Sequence, residues 1–262
     1  MIETLAIILL LVFLGISAYQ DWITREITDW VWITLLAIGL VINTIVTLTA
    51  RDRLQTLSTI ALSTIIAASI GFIFFYLYIW GGGDLLMYLA ASFVSATLPI
   101  SLFSPRSFEV IPFGISALAN TYLFTAVLPG YFLLENTYRR FVKGEQIFQG
   151  FKASVGQKIF IALVGRPIKL ADLHAGHISF YTILEEKRAD TWCINFHSGM
   201  KWDEDTLETK KRAILKEAEN DLKPYIWISY TLPSLVFLTV GFLITAIYGT
   251  LLFRLWFLLQ AL

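Results

Sequence analysis

Asp21 and Asp84 are the residues of this chain best placed to do chemistry. Each stands at the edge of a long apolar run, and ionisable groups within or at the ends of membrane spans are costly and mark function by default. Two carboxylates that share a site cannot both ionise easily, so one keeps its proton. The ionised one can then activate a water while the protonated one polarises a scissile carbonyl. That is acid–base hydrolysis with no metal, no cofactor and no covalent intermediate. Such a pair titrates as a unit, so neither aspartate is given a fixed role. Taken singly, each has a plainer reading: Asp21 as an interfacial cap, Asp84 as the cap of a helix that follows a glycine turn. The run Gly81-Gly82-Gly83 removes side chains ahead of Asp84 and opens torsions closed to other residues, which lets a substrate strand approach the carboxylate.

The elements that must position this pair are membrane spans. Of 262 residues 56% are apolar and 15% charged, and the apolar residues are gathered into long runs. A span needs roughly 20 mostly apolar residues. Six segments qualify: about 2–20, 30–49, 58–80, 85–103, 110–135 and 225–248. The first carries only Glu3 and lacks the basic start and small-residue cleavage site of a secretory signal, so it reads as a retained span. Residues 137–223 differ sharply, with 15 of the 20 Lys+Arg and 12 of the 20 Asp+Glu. Within them Asp203–Leu222 reads as a helix. Lys158–Val164, Ile178–Leu184 and Thr191–Phe196 read as strands of a small antiparallel sheet. The expected fold is therefore an all-α polytopic membrane protein with six transmembrane helices and a small α+β cytoplasmic module between spans five and six. Its parts are a membrane domain, 1–136, holding both aspartates; a soluble module, 137–223; and a sixth span with an apolar tail, 224–262.

Basic residues set the orientation. Arg139, Arg140 and Lys143 directly follow span five and weigh most, because long modules count little in that rule. They predict a multi-pass protein of the plasma membrane with 137–223 in the cytoplasm. Asp21 and Asp84 then fall on the same, cytoplasmic side. The formal net charge of zero provides no basic field for nucleic acid. The single Cys193 excludes an internal disulfide framework.

Gly81-Gly82-Gly83-Asp84 matches the Gly-x-Gly-Asp motif of membrane aspartic proteases. Asp21-Trp22-Ile23-Thr24-Arg25-Glu26-Ile27 resembles the Asp-x-x-x-Arg-Glu-Ile/Val segment of archaeal preflagellin (prearchaellin) peptidases, which belong with the type IV prepilin peptidases. The resemblance covers essentially the whole chain. It implies that Asp21 and Asp84 are catalytic and that Gly81, Gly83 and Arg25 are motif residues supporting them. It implies as substrates the precursors of archaellins and type IV pilin-like proteins, cut on the cytoplasmic side between a short basic leader and a hydrophobic helix. Two departures stand out. Many relatives carry a Lys two residues after the second aspartate, where this chain has Leu86. Bacterial relatives often have a cysteine-rich insert after span one, whereas here about nine residues separate spans one and two. The likeness is to the archaeal, peptidase-only branch. Glu26 and Asp29 are candidates for attracting the basic leader, with solvated loop charges as the alternative.

Other residues have both a functional and a plainer reading. His174, His177, Cys193 and His197 have a spacing imaginable for zinc, against scattered surface positions. Asp29 is a rival for the first catalytic position but lacks the flanking motif. Asn43, Asn120 and Asn136 read as interhelical hydrogen-bonders, and Pro129 as a kink in span five. Three other functions stay open: a presenilin-type protease cutting within the bilayer, a cation or proton transporter using the aspartates, and a non-catalytic scaffold.

Overall fold

A computed structural model describes residues 2–77, 79–98, 111–150, 152–174, 181–188, 191–194, 204–230 and 233–260. In chain order the helices are α1 (Ile2–Ile23), α2 (Asp29–Thr49), α3 (Arg53–Tyr76), α4 (Gly82–Val94), α5 (Phe113–Thr125), α6 (Val127–Phe141), α7 (Val155–Val164), α8 (Leu170–His174), α9 (Glu204–Asn220), α10 (Ser234–Tyr248) and α11 (Leu251–Gln260). The strands are β1 (Arg166–Lys169), β2 (Tyr181–Ile183), β3 (Glu185–Arg188), β4 (Thr191–Ile194) and β5 (Tyr225–Tyr230). The chain forms two compact units, residues 1–125 with 233–262, and residues 126–232.

Among the described residues four helical stretches are long and apolar enough to cross a membrane: Ile2–Ile23, Asp29–Thr49, Arg53–Tyr76 and Phe113–Phe141. The last is interrupted at Ala126, between α5 and α6. Pro129 explains the interruption, since it has no N–H for the carbonyl of Thr125, four residues back. The fourth and sixth expected spans differ from expectation. The helix within 85–103 is α4, whose 13 residues extend about 20 Å; residues 99–103 lie outside those described. The helix within 225–248 is α10, with 15 residues. Both fall short of the roughly 30 Å hydrocarbon core.

The first unit is packed through small residues, which let helix backbones approach closely. A Cβ on Gly39 of α2 would lie 2.9 Å from both Phe93 and Val94 of α4. One on Gly71 of α3 would lie 2.8 Å from Leu85. One on Gly241 of α10 would meet the Ala117 carbonyl of α5 at 2.5 Å. Buried amides tie the same helices. Asn43 donates to the Phe93 carbonyl at 2.8 Å. Asn120 donates to Thr245 Oγ1 and the Gly249 carbonyl at 2.8 and 2.9 Å, and accepts from the Leu251 amide at 2.9 Å. Gly249, at φ 74°, occupies the left-handed region that ends α10, so α11 is a separate helix rather than its extension. The α1–α10 seam is closed by Thr239, which donates to the Leu14 carbonyl at 3.0 Å. Thus α4 is fixed on α2 and α3, and α10 on α1 and α5.

In the second unit β5 is the central strand of the order β1-β5-β2, antiparallel to both neighbours. This corrects the reading of 225–230 as the start of a span. A short continuous apolar run suits a fully buried strand as well as a helix, and Ile226, Trp227 and Ile228 are all buried. A second correction concerns Lys158–Val164, which is helical within α7. Ser154 and Gln157 form a capping box there, with the Gln157 amide on Ser154 Oγ at 3.3 Å and the Ser154 amide on Gln157 Oε1 at 2.9 Å. Its β-branched residues suggested a strand, but the cap and the burial of Ile161 and Ala162 decide otherwise. β2 lies within the expected 178–184 and β4 within 191–196, and β3 and β4 form a hairpin. Residues 178–180 and 195–196, like His177 and His197, lie outside the described residues. The expected helix over 203–222 is α9. Beside the sheet, fully buried Glu185 accepts from the Trp227 amide at 2.7 Å and pairs with Lys223. Burial pushes the Glu185 carboxyl up and the Lys223 ammonium down, and their mutual attraction opposes both shifts.

Candidate active site

Asp21 lies in the last turn of α1 and is buried, with 6% of its surface exposed. The helix therefore runs past the apolar stretch ending at residue 20 and carries Asp21 within it. It ends because Arg25 adopts φ 60°, a left-handed conformation that costs a non-glycine residue about 1 kcal/mol. The guanidinium returns to its own helix end, with Nη1 3.8 Å from Asp21 Oδ1. Gln20 secures the short connection to α2, donating to Thr28 Oγ1 at 2.9 Å and accepting the Thr28 amide at 3.2 Å.

Asp84 is the third residue of α4, with Gly81 at the N-cap. Its Oδ2 accepts from the Gly81 amide at 3.0 Å, so one oxygen does perform the capping role that a plain reading assigns. The torsional freedom of the glycine run is not used here. None of Gly81, Gly82 and Gly83 has a positive φ. What matters at Gly83 is space, because a Cβ there would sit 2.9 Å from Ile27 Cδ1. At Gly82 nothing lies within 4 Å, and at Gly81 the nearest atom would be Asp84 Oδ2 at 3.6 Å. The seventh residue of the Asp21–Ile27 segment thus packs on the third residue of the glycine run. The two motifs meet through this contact.

The start of α10 joins the two carboxylates. Ser234 Oγ donates to Asp84 Oδ1 at 2.5 Å, and the Leu235 amide donates to Asp21 Oδ2 at 2.9 Å. Consecutive residues thus hold one oxygen of each aspartate. The Leu235 amide is among the first four of its helix, which have no intrahelical acceptor, and the helix dipole there favours negative charge. Tight packing of α10 on α1 and α5 fixes this end. Asp84 retains a bond to its own helix start, and Asp21 an approach from Arg25.

Ser234 and Leu235 do not stand out in the sequence because 225–248 reads as one apolar span. The signal available was Pro233, which breaks that run and marks a helix start. The remaining candidates lie at the surface. Glu26 is exposed. Asp29 is exposed too and accepts from the Trp32 indole at 3.1 Å, away from the α10 contacts. No group of three or more His, Cys, Asp and Glu side chains arranged to hold a metal occurs among the described residues.

Residues 8–132 match the type IV leader peptidase family, and residues 157–251 match the type II C-terminal region of archaeal A24 peptidases. The chain therefore resembles the type IV leader peptidases over nearly half of its length and archaeal A24 peptidases over a further segment. The first match contains Asp21 and Asp84 and the second contains Ser234 and Leu235, so both contribute to the clustered residues. The chain is similar along most of its length to curated preflagellin peptidases. One from Methanococcus voltae is 26% identical over 238 residues, covering 89% of this chain and 91% of the relative. One from Methanocaldococcus jannaschii is 24% identical, covering 89% of each. One from Methanococcus maripaludis is 26% identical, covering 89% and 90%. The long apolar helices and these likenesses together point to a membrane-associated peptidase.

Proposed function

We propose that this protein is a leader peptidase, an aspartic endopeptidase that removes the short basic leader from archaellin and type IV pilin-like precursors. Asp21 and Asp84 are its catalytic pair. The observation that carries this reading is the attachment of both carboxylates to consecutive residues, Ser234 and Leu235, at one helix start. In the reaction, the ionised carboxylate takes a proton from the attacking water. The protonated one donates to the carbonyl oxygen of the scissile bond. The tetrahedral adduct then collapses with proton transfer to the leaving amine. The donors from α10 hold the pair in a fixed geometry, so little reorganisation is needed when charge moves between them. Arg25 keeps a positive charge beside Asp21.

The pair lies at the cytoplasmic boundary of a membrane domain of six crossings, with α4 and α10 as the two short ones. Residues 137–223 form the cytoplasmic module. Two observations support the orientation: the basic cluster Arg139, Arg140 and Lys143 at the end of α6, and the placement of both aspartates at helix ends. The hydrophobic helix of the precursor lies in the bilayer and its basic leader in the cytoplasm. Exposed Glu26 and Asp29, close in sequence to Asp21, attract that leader electrostatically.

Co-expression with an archaellin precursor tests the reading. Wild type shifts the precursor to mature size. Asp21→Asn and Asp84→Asn each insert normally and leave it uncut. Cleavage by either variant removes the two-aspartate mechanism. A Glu26→Gln/Asp29→Asn enzyme that cuts at the wild-type rate removes the leader-binding role alone.

A further inference from the structure

The second unit contains a cavity of about 300 Å³ between the last two turns of α6 and the first turns of α7. At its inner wall is Asn136, 2% exposed. The Asn136 amide donates to the carbonyls of Ala162 and Gly165 at 3.0 and 2.9 Å, which fixes the side chain. Its Oδ1 is buried with no partner among the described residues, a condition that ordinarily costs about 1–3 kcal/mol. Two cations line the same cavity, Arg140 and Lys158. Both lie over the face of Phe148, at 5.3 and 5.7 Å from the ring centroid, and Phe148 is itself stacked on Trp227 at 5.1 Å. Neither cation is in an ion pair among the described residues. The neighbouring carboxylates are engaged elsewhere: Glu145 pairs with Arg139 at 2.6 Å and Glu135 with Arg166 at 2.5 Å.

The rim is apolar and exposed. Phe141, Val155 and Ile159 line the cavity with 74%, 75% and 52% of their surfaces uncovered. A largely apolar cavity that holds two cations and has such a rim does not suit a freely soluble anion, which would leave the apolar lining in water. Position adds a further constraint. Arg140 and Phe141 end the apolar stretch Phe113–Phe141, which is long enough to cross a membrane, and a basic and an aromatic residue at the end of such a stretch suit the headgroup level.

We infer that this cavity is a binding site for an anionic glycerophospholipid with a hydroxylated headgroup. The phosphate lies between Arg140 and Lys158. A headgroup hydroxyl donates to Asn136 Oδ1 and gives that buried acceptor its partner. The hydrocarbon lies over Phe141, Val155 and Ile159. Basic residues beside a membrane surface recognise anionic lipids, and here the two are held in place by a common aromatic platform rather than on flexible loops. The site is separate from the aspartate pair and does not depend on the reaction assigned to it.

The test uses the full chain in nanodiscs and in detergent, with bound lipid read by native mass spectrometry. Phosphatidylglycerol is retained over phosphatidylcholine, and over phosphatidylethanol, which has the same singly charged phosphodiester but no headgroup hydroxyl. Arg140→Gln/Lys158→Gln lowers phosphatidylglycerol retention about 30-fold, the effect of removing two surface cations, while the variant still unfolds in a cooperative thermal transition. Equal retention in that variant overturns the site. Equal retention of phosphatidylethanol and phosphatidylglycerol overturns the role of Asn136. Displacement of the lipid by soluble glycerol phosphate at matching concentration shows a site for a free anion and overturns the lipid assignment.

Discussion

Gly83→Ala places a methyl group where Ile27 already stands. The new carbon would lie 2.9 Å from Ile27 Cδ1, against a favourable carbon–carbon separation of about 3.5–4.0 Å. Overpacking of this kind costs about 1–3 kcal/mol. Cδ1 is the end of a flexible side chain, so the lower end, about 1 kcal/mol, applies. Asp84 is the next residue, and a shift that carried the whole of that cost into its placement would slow turnover about fivefold. Ile27→Val removes the offending atom. The next atoms of Ile27 lie 3.6 and 3.7 Å from the added carbon, which is ordinary contact. Ile27 is only partly buried, so its truncation alone costs about 0.5 kcal/mol. The double variant Gly83→Ala/Ile27→Val therefore cuts faster than Gly83→Ala alone, with a coupling of about 1 kcal/mol in the restoring direction. Gly82→Ala is the control. It meets nothing within 4 Å and replaces glycine in a first helical turn, so it leaves turnover intact. The assay is cleavage of a leader-bearing precursor in membranes, normalised to inserted enzyme. A double variant no faster than Gly83→Ala would refute the steric account. Equal damage from Gly82→Ala would do so too, and would point to close approach of substrate along the whole glycine run.

Ser234→Ala removes the hydroxyl bound to Asp84, a charge-assisted bond worth about 1.5–3 kcal/mol, so turnover falls about 10- to 150-fold while insertion is unaffected. Ser234→Thr keeps the donor and recovers most of the rate; wild-type turnover in the alanine enzyme would show that Asp84 needs no support from α10. Lys223→Met leaves buried Glu185 without its cation and costs about 3–5 kcal/mol, read as a drop in thermal midpoint, whereas Glu185→Gln/Lys223→Met is milder. Asp221 accepts hydrogen bonds from Lys187 and the Trp192 indole, which hold its carboxyl below the usual range of about 4. Its contribution to stability is present above that range and is lost as the pH falls through its lower folded-state value. The stability gap between wild type and Asp221→Asn accordingly narrows on acidification below about pH 4. A gap that widens there would reverse the sign of the interaction.

The chain by itself determined much of this protein. Apolar runs of span length mark α1, α2 and α3, because a helix in lipid must be apolar over its length. The two motifs pointed to the residues that cluster, and the charged character of α9 marked a helix exposed to water. Local signals were weaker where one composition serves two conformations. Residues 225–230 are apolar in a way that fits either a span or a buried strand, and pairing with β1 and β2 decided for the strand. Lys158–Val164 is β-branched enough to suggest a strand, yet Ser154 caps it as a helix. The site shows the same division. Asp21 and Asp84 were legible because charge beside an apolar run stands out. That they are held by Ser234 and Leu235 was not, since those residues lie some 150 and 214 positions away along the chain from their partners. Only the seating of α10 against α1 and α5 brings its unpaired helix start to both carboxylates. The same holds for Gly83, whose need for space exists only because Ile27 folds back upon it.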